Sequence, residues 1–158
     1  MGFTLIELLI AIAIIGIISV GAFVALDPLT RFQDARDVQR WNDVSAVIDA
    51  IKVDQIDNGG NYIGVANSIP AGSFAMIGTA ASGCNTFTCP DQLINGSACV
   101  DFGALVTEGY LAAVPVAPTG SQAYTSANTG YYISRSSTGT LTVGACESEN
   151  SAYIRVQK

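Results

Sequence analysis

Histidine is absent from the 158 residues. That absence excludes Ser-His-Asp and Cys-His catalysis and takes imidazole out of any metal site. Charge is scarce as well. Asp, Glu, Lys and Arg make up 13% of the chain, roughly half the usual share for a soluble domain, whereas apolar residues make up 49%. Some apolar surface must therefore meet lipid or other chains. Seven Lys and Arg stand against thirteen Asp and Glu, a net charge of -6. Strong binding to nucleic-acid phosphates is therefore not expected. No phosphate-cradling loop is present: Gly59-Gly60 and the stretch Gly78 to Gly83 lack the Lys-Ser/Thr or strand-glycine-helix context such a site needs, and read as turns. Glu147 and Glu149 lie in a Ser/Asn-rich turn and read as solvated charges rather than an acid-base pair. Neither an enzymatic activity nor a cofactor is expected.

The four cysteines, Cys84, Cys89, Cys99 and Cys146, form no CxxC pair. With no histidine to complete a mixed zinc site, they read as disulfides in an oxidising compartment. Three pairings are open. The expected one closes the short Cys84 to Cys89 loop and leaves Cys99 to tie the C-terminal strand through Cys146.

What the chain has in plenty is an apolar start. Leu8 to Leu26 reads LLIAIAIIGIISVGAFVAL without a charge, and at about 1.5 Å per residue such a helix nearly matches a hydrocarbon layer. No basic residue precedes the run and no small-residue cleavage pattern follows it, so the helix is expected to stay on the mature protein. Glu7 interrupts this apolar segment, and an unpaired carboxylate in lipid costs several kcal/mol. It needs a partner, unless it sits at headgroup level or caps the helix start.

The run Gly2-Phe3-Thr4-Leu5-Ile6-Glu7-Leu8-Leu9 resembles the processing site of type IV pilins and pseudopilins. The resemblance implies cleavage after Gly2 by a membrane-embedded prepilin peptidase and N-methylation of Phe3. It also implies that Glu7 pairs with the α-amino group on Phe3 of a neighbouring subunit, which would favour one axial register during assembly. Residues 1–2 read as a leader remnant. The family's leaders usually carry Lys or Arg before the glycine, so more leader is expected upstream of Met1.

Beyond Leu26, Asp27-Pro28 disfavours helix, and Pro28 is expected to break or kink it. The alternative is a second helix started by Asp27 or Thr30 as N-cap. Phe32, Ala35, Val38, Trp41, Val44, Ile48 and Ile51 recur at helical spacing and are expected to pack on a head. Arg36, Asp37, Arg40, Asp43 and Asp54 read as the opposite, solvated side, or as charges that pair between subunits. A helix from Phe3 to about Val53 would span roughly 75 Å. The cluster Asp57-Asn58-Gly59-Gly60-Asn61 stops it. Asp54, Asp57, Asn58 and Asn61 hint at calcium, but the alternating ligands and closing Glu of an EF-hand loop are lacking, and no metal site is expected.

From Tyr62 the composition turns to loops and short strands. Asp101 to Leu111 predicts a short helix with Asp101 as N-cap and Gly109 near its end, and Pro115 and Pro118 predict a turn. Three strands are expected at 130–134, 140–143 and 152–156, forming an antiparallel sheet with one face on the stalk and the other wet. This α+β arrangement, a long N-terminal helix on a small antiparallel sheet, resembles the pilin fold. The organisation expected is therefore residues 3–27 as transmembrane and filament-core helix, 28–57 as amphipathic helix packing on the head, and 58–158 as head.

Gly109 to Pro118 also resembles the turn before the sheet in several pilins and pseudopilins. Major secretion pseudopilins often follow it with an acidic calcium loop, whereas Thr119-Gly120-Ser121-Gln122 has no carboxylate, which tilts the resemblance towards a pilus subunit. A Cys99 to Cys146 bridge would match the disulfide-bounded region of many pilins. Asn95-Gly96-Ser97 spells a glycosylation sequon, a spelling that bacterial surface proteins often leave unmodified.

The resemblance implies a homo-oligomeric filament subunit, held in the cytoplasmic membrane before assembly and displayed at the cell surface afterwards. Its partners would be the prepilin peptidase and, indirectly, an assembly ATPase and platform. Adhesion, motility, DNA uptake and secretion are the roles such filaments serve. The alternatives are a pseudopilin of a secretion or DNA-uptake system, or a membrane-anchored binding module.

Overall fold

The computed structural model describes residues 2–87, 89, 92 and 94–158. Met1 of the expected leader remnant lies outside the described residues. The chain opens with a long helix in two sections, α1 (Leu5–Leu26) and α2 (Pro28–Asp57). Two short helices follow in the head, α3 (Gly64–Asn67) and α4 (Gly103–Thr107). The strands are β1 (Phe74–Met76), β2 (Tyr131–Arg135), β3 (Leu141–Ala145) and β4 (Arg155–Gln157), paired antiparallel in the order β1-β2-β3-β4. A long N-terminal helix on a small antiparallel sheet is an α+β, pilin-like arrangement.

The sheet has four strands where the sequence predicts three. Phe74–Met76 is too short to show a period, and it becomes a strand by pairing with β2, Ala75 opposite Ile133. The last strand is Arg155–Gln157, where the sequence predicts residues 152–156. α4 begins later than predicted because its N-cap is Phe102. Asp101 instead accepts a hydrogen bond from the Gly103 amide at 2.8 Å.

Side-chain alternation along β2 divides the interior in two. Tyr131 and Ile133, with Leu141 and Val143 of β3, meet Val44, Val47, Ile48 and Ile51 of α2. Each such side chain, fully buried, contributes about 1.5–3 kcal/mol. The other sheet face was expected to be wet, but it is covered. Tyr132 packs there with Met76, Cys84, Cys89 and Cys146 in a second cluster. The Tyr132 ring also lies against Gly144, its partner across the strands, where a Cβ would come within 2.5 Å of the ring.

The two disulfides at this outer face join Cys84 to Cys99 and Cys89 to Cys146. The expected pairing is therefore corrected on both bonds. The backbone explains the exchange: Cys84 N–H donates to the Ser97 carbonyl and Cys99 N–H to the Ala80 carbonyl, so the segment carrying Cys99 runs beside the one carrying Cys84. Cys89 is left to reach Cys146, beyond the end of β3. Closing loops of 15 and 57 residues corresponds to about 3 and 4 kcal/mol of unfolded-chain entropy.

Candidate assembly site

The N-terminal helix is capped by its own sequence. Thr4 is the N-cap, and the Glu7 amide donates to Thr4 Oγ1 at 3.4 Å. In return the Thr4 amide and hydroxyl both donate to Glu7 Oε2, at 3.0 and 2.7 Å. This is a reciprocal capping box, which satisfies two of the free donors at a helix start. The signal for Thr4 is the contiguous Thr-x-x-Glu spacing, which Glu7 taken alone does not show. Glu7 Oε1 accepts no hydrogen bond within the described residues.

From Leu5 to Leu26 the helix buries none of its side chains. Phe3 ahead of it is 84% exposed, and Leu8, Ile12, Ile15 and Ile18 of successive turns all face outward. A helix apolar all round is unstable in water unless lipid or other chains cover it. Among the described residues this is the one helix long and apolar enough to cross a membrane.

At its end Asp27 adopts a left-handed conformation, φ 37° and ψ 68°, and Pro28 opens the next helix. Proline supplies no amide at that turn and restricts the residue before it, so the α-helical path stops at Leu26 and resumes at Pro28. Thr30 donates to Asp27 Oδ2 at 2.6 Å across the junction.

Below the junction, α2 meets the head differently from its predicted face. Phe32, Ala35, Val38 and Trp41 are exposed, while Asp37, Arg40, Val44, Val47, Ile48, Ile51 and Asp54 form the buried stripe. In its first half the contact face is thus turned by one residue, about 100°, from the apolar periodicity. The physical reason is the loop 147–151, which offers charge and backbone amides rather than apolar surface. Asp37 accepts from the amides of Glu149, Asn150 and Ser151 at 3.0, 2.9 and 2.9 Å. Arg40, with no exposed surface, donates to Asp37 and Glu149 at 2.8 and 2.9 Å and to the Pro118 carbonyl at 3.2 Å. Arg36 forms a two-pronged pair with Glu149. Glu147 receives Ser121 and the Gln122 amide and lies 3.9 Å from Arg40. Asp37, Arg40, Glu147 and Glu149 were expected to be solvated, and they are the fastening between loop and helix.

The electrostatics follow from these partners. Burial works to raise the Asp37 carboxyl, but the amides of residues 149–151 and Arg40 outweigh it and hold it below its usual range. The Arg36 hydrogen bond lowers Glu149, with Arg40 adding to it against burial. Tyr131 donates to Asp43 at 2.5 Å. Burial first, and that acceptor second, push the Tyr131 phenol far up.

With this geometry in place, the comparisons bear on the N-terminus alone. Residues 2–23 match the family model described as the prokaryotic N-terminal methylation motif. The chain carries the class III signal of type IV pilins and pseudopilins. No curated protein and no solved structure matches the chain. The signal covers Gly2, Phe3 and Glu7 together with most of α1. It fits membrane anchoring and processing by a prepilin peptidase, and it points to a structural subunit rather than an enzyme.

Proposed function

We propose that this chain is a pilin, the structural subunit of a type IV pilus-like helical filament at the cell surface. The observation that carries the reading is a methylation motif laid on an apolar helix that buries none of its side chains and holds one carboxylate. In this reading the peptidase cuts after Gly2 and Phe3 is methylated. Glu7 then exchanges part of its Thr4 capping for the ammonium of Phe3 on a neighbouring subunit. Two charges that lipid disfavours separately compensate each other, and only one stagger brings them together. Residues 3–27 serve as membrane anchor before assembly and as filament core afterwards, with Pro28 as the break between core and stalk. Residues 28–57 carry the head, residues 58–158, on the outside. The absence of a carboxylate from Thr119 to Gln122 supports a pilus subunit over a major secretion pseudopilin.

Mass spectrometry of the protein from its native membrane tests the processing step. The expected N-terminus is methylated Phe3, and an intact Gly2-Phe3 bond overturns it. Glu7→Gln tests assembly: loss of filaments in electron micrographs, with the subunit still present in the membrane, is expected. Normal yield at unchanged subunit spacing would remove the register role.

A further inference from the structure

The C-terminal end of α2 concentrates negative character. Its last turn holds no basic residue, although the unpaired carbonyls of a helix end favour a cation there. Asp54 lies in that turn and is 1% exposed. Its Oδ1 accepts from Asn58 Nδ2 at 2.8 Å, whereas its Oδ2 is buried without a hydrogen-bond partner among the described residues. A carboxylate oxygen buried alone costs several kcal/mol, so the fold keeps this one for a reason outside its own hydrogen bonds.

Asp54 lines a cleft of about 350 Å³ together with Asn58, Asn61, Tyr62 and Glu108. The amide nitrogens of Asn58 and Asn61 are committed to Asp54 and to the Asn58 carbonyl, which leaves their carbonyl oxygens as acceptors. Lys52, whose partner Tyr62 lines the same cleft, is held by Gln55 and the Tyr62 hydroxyl at 3.1 and 2.9 Å, and among the described residues it forms no ion pair with Asp54.

We propose that this cleft binds a hard divalent cation of calcium's size. Asp54 Oδ2 and the Glu108 carboxylate would supply the charge, the Asn58 and Asn61 carbonyls neutral oxygens, and water the rest of the shell. Among the described residues no three acidic side chains converge as in a dedicated metal cage. Two carboxylates completed by carboxamides and water correspond to the weak sites of extracellular modules, with Kd on the order of 10⁻⁴–10⁻³ M. The ligands are spread over the end of α2, the following turn and the end of α4, so the cation would fasten the start of the head to the stalk. No EF-hand spacing is needed: Asp54, Asn58 and Asn61 belong to the cluster whose sequence hints at calcium, and Glu108 joins them only through the fold.

The test is thermal unfolding of the full chain in detergent, stripped with EDTA and titrated with CaCl2 from 0.1 to ~10 mM, the range set by that affinity. NaCl at matched ionic strength is the control. The midpoint is expected to rise by roughly 3–10 °C at the top of the titration. Asp54→Asn is expected to abolish the rise while folding at least as well as the unsubstituted chain in EDTA, because it removes an unpaired buried charge. Glu108→Gln, at an exposed position, is expected to weaken the apparent affinity by roughly tenfold. A CaCl2 response equal to that of NaCl overturns the proposal. So does an unchanged calcium response in both variants. The readout needs no filament, so it stands or falls apart from the assembly reading.

Discussion

The two sections of the N-terminal helix differ in where they find their partners. α1 has 22 residues and buries none of them, whereas α2 has 30 and buries eight. α1 is apolar nearly all round: its one charged side chain is Glu7 at its start, and Ser19 turns its hydroxyl back onto the Ile15 carbonyl. α2 is divided along its length: ion pairs and backbone amide donors hold its first half to the loop 147–151, and aliphatic side chains hold its second half to the sheet. Apolar packing supplies most of the stability of such a contact, while a buried ion-pair network contributes little net energy and penalises misalignment. The difference teaches that the head is oriented on the stalk by charge and held by apolar burial. α1 must take both from its surroundings, whether lipid or other subunits.

Asp37→Ala is the strongest way to test that division. It strips Arg40 of one of its close carboxylates and leaves three loop amides without an acceptor. A cost of about 3–5 kcal/mol is expected, as for breaking one partner of a buried pair. Denaturant unfolding of the full chain in detergent, followed by tyrosine near-UV circular dichroism, measures it. α1 should keep its helical far-UV signal, since it makes no contact with the network. A cost below about 1 kcal/mol would mean that the head is held by apolar contacts alone.

Acid should act on the same fastening. Asp37 and Glu149 have folded pKa values below their unfolded ones. Their contribution is complete above the unfolded carboxylate range, about pH 4, and is lost as pH falls through the lower folded values. Asp43 runs the other way, raised by burial against its Tyr131 hydrogen bond, so its ionisation subtracts from stability as pH rises. The net expectation is a stability that falls on acidification below about pH 4, and a smaller fall in Asp37→Ala.

The parts of the fold legible in the sequence are those with a local cause. Leu8 to Leu26 shows its character in composition alone, Asp27-Pro28 shows the break, and the Gly-Asn cluster after Asp57 shows the stop. β2 and β3 are visible because their aromatic and β-branched runs are long enough to read. Phe74–Met76 is not, because three residues become a strand only through a partner some sixty positions away. The same reason hides the fastening. Asp37 and Arg40 look solvated at their own positions, and nothing local reports that Glu149 and three amides arrive from the far end of the chain. At the N-terminus the methylation motif and the Thr4–Glu7 box are both contiguous. Both are therefore legible from one segment.

A smaller effect is expected where a neutral group meets the network's edge. Tyr131→Phe keeps the ring packed between α2 and the sheet but removes the hydrogen bond to Asp43. The expected loss is about 1.5–3 kcal/mol, the range for a hydrogen bond to a charged acceptor. Above that range, the half-buried Asp43 would rank with Asp37 as a member of the fastening. Near zero, water would be satisfying Asp43 equally well. Repeating the measurement at pH 3 separates the two, because protonated Asp43 no longer draws the phenol strongly.

The smallest effect should come from Val38→Ser. Val38 lies on the side of α2 that the apolar periodicity assigned to the head, yet it is 58% exposed, and Phe32, in an earlier turn of the same periodicity, is 65% exposed. If the first half of α2 is held by charge on one side and free on the other, the substitution changes unfolding of the isolated subunit by no more than about 0.5 kcal/mol. Phe32→Ser should behave alike. A loss above about 1.5 kcal/mol at Val38 would place this side against the head in the folded subunit, and the contrast between α1 and α2 would shrink to the Asp27-Pro28 break. A negligible loss makes the apolar side of α2 a continuation of α1, with its hydrophobic surface left for whatever covers the rest of that helix.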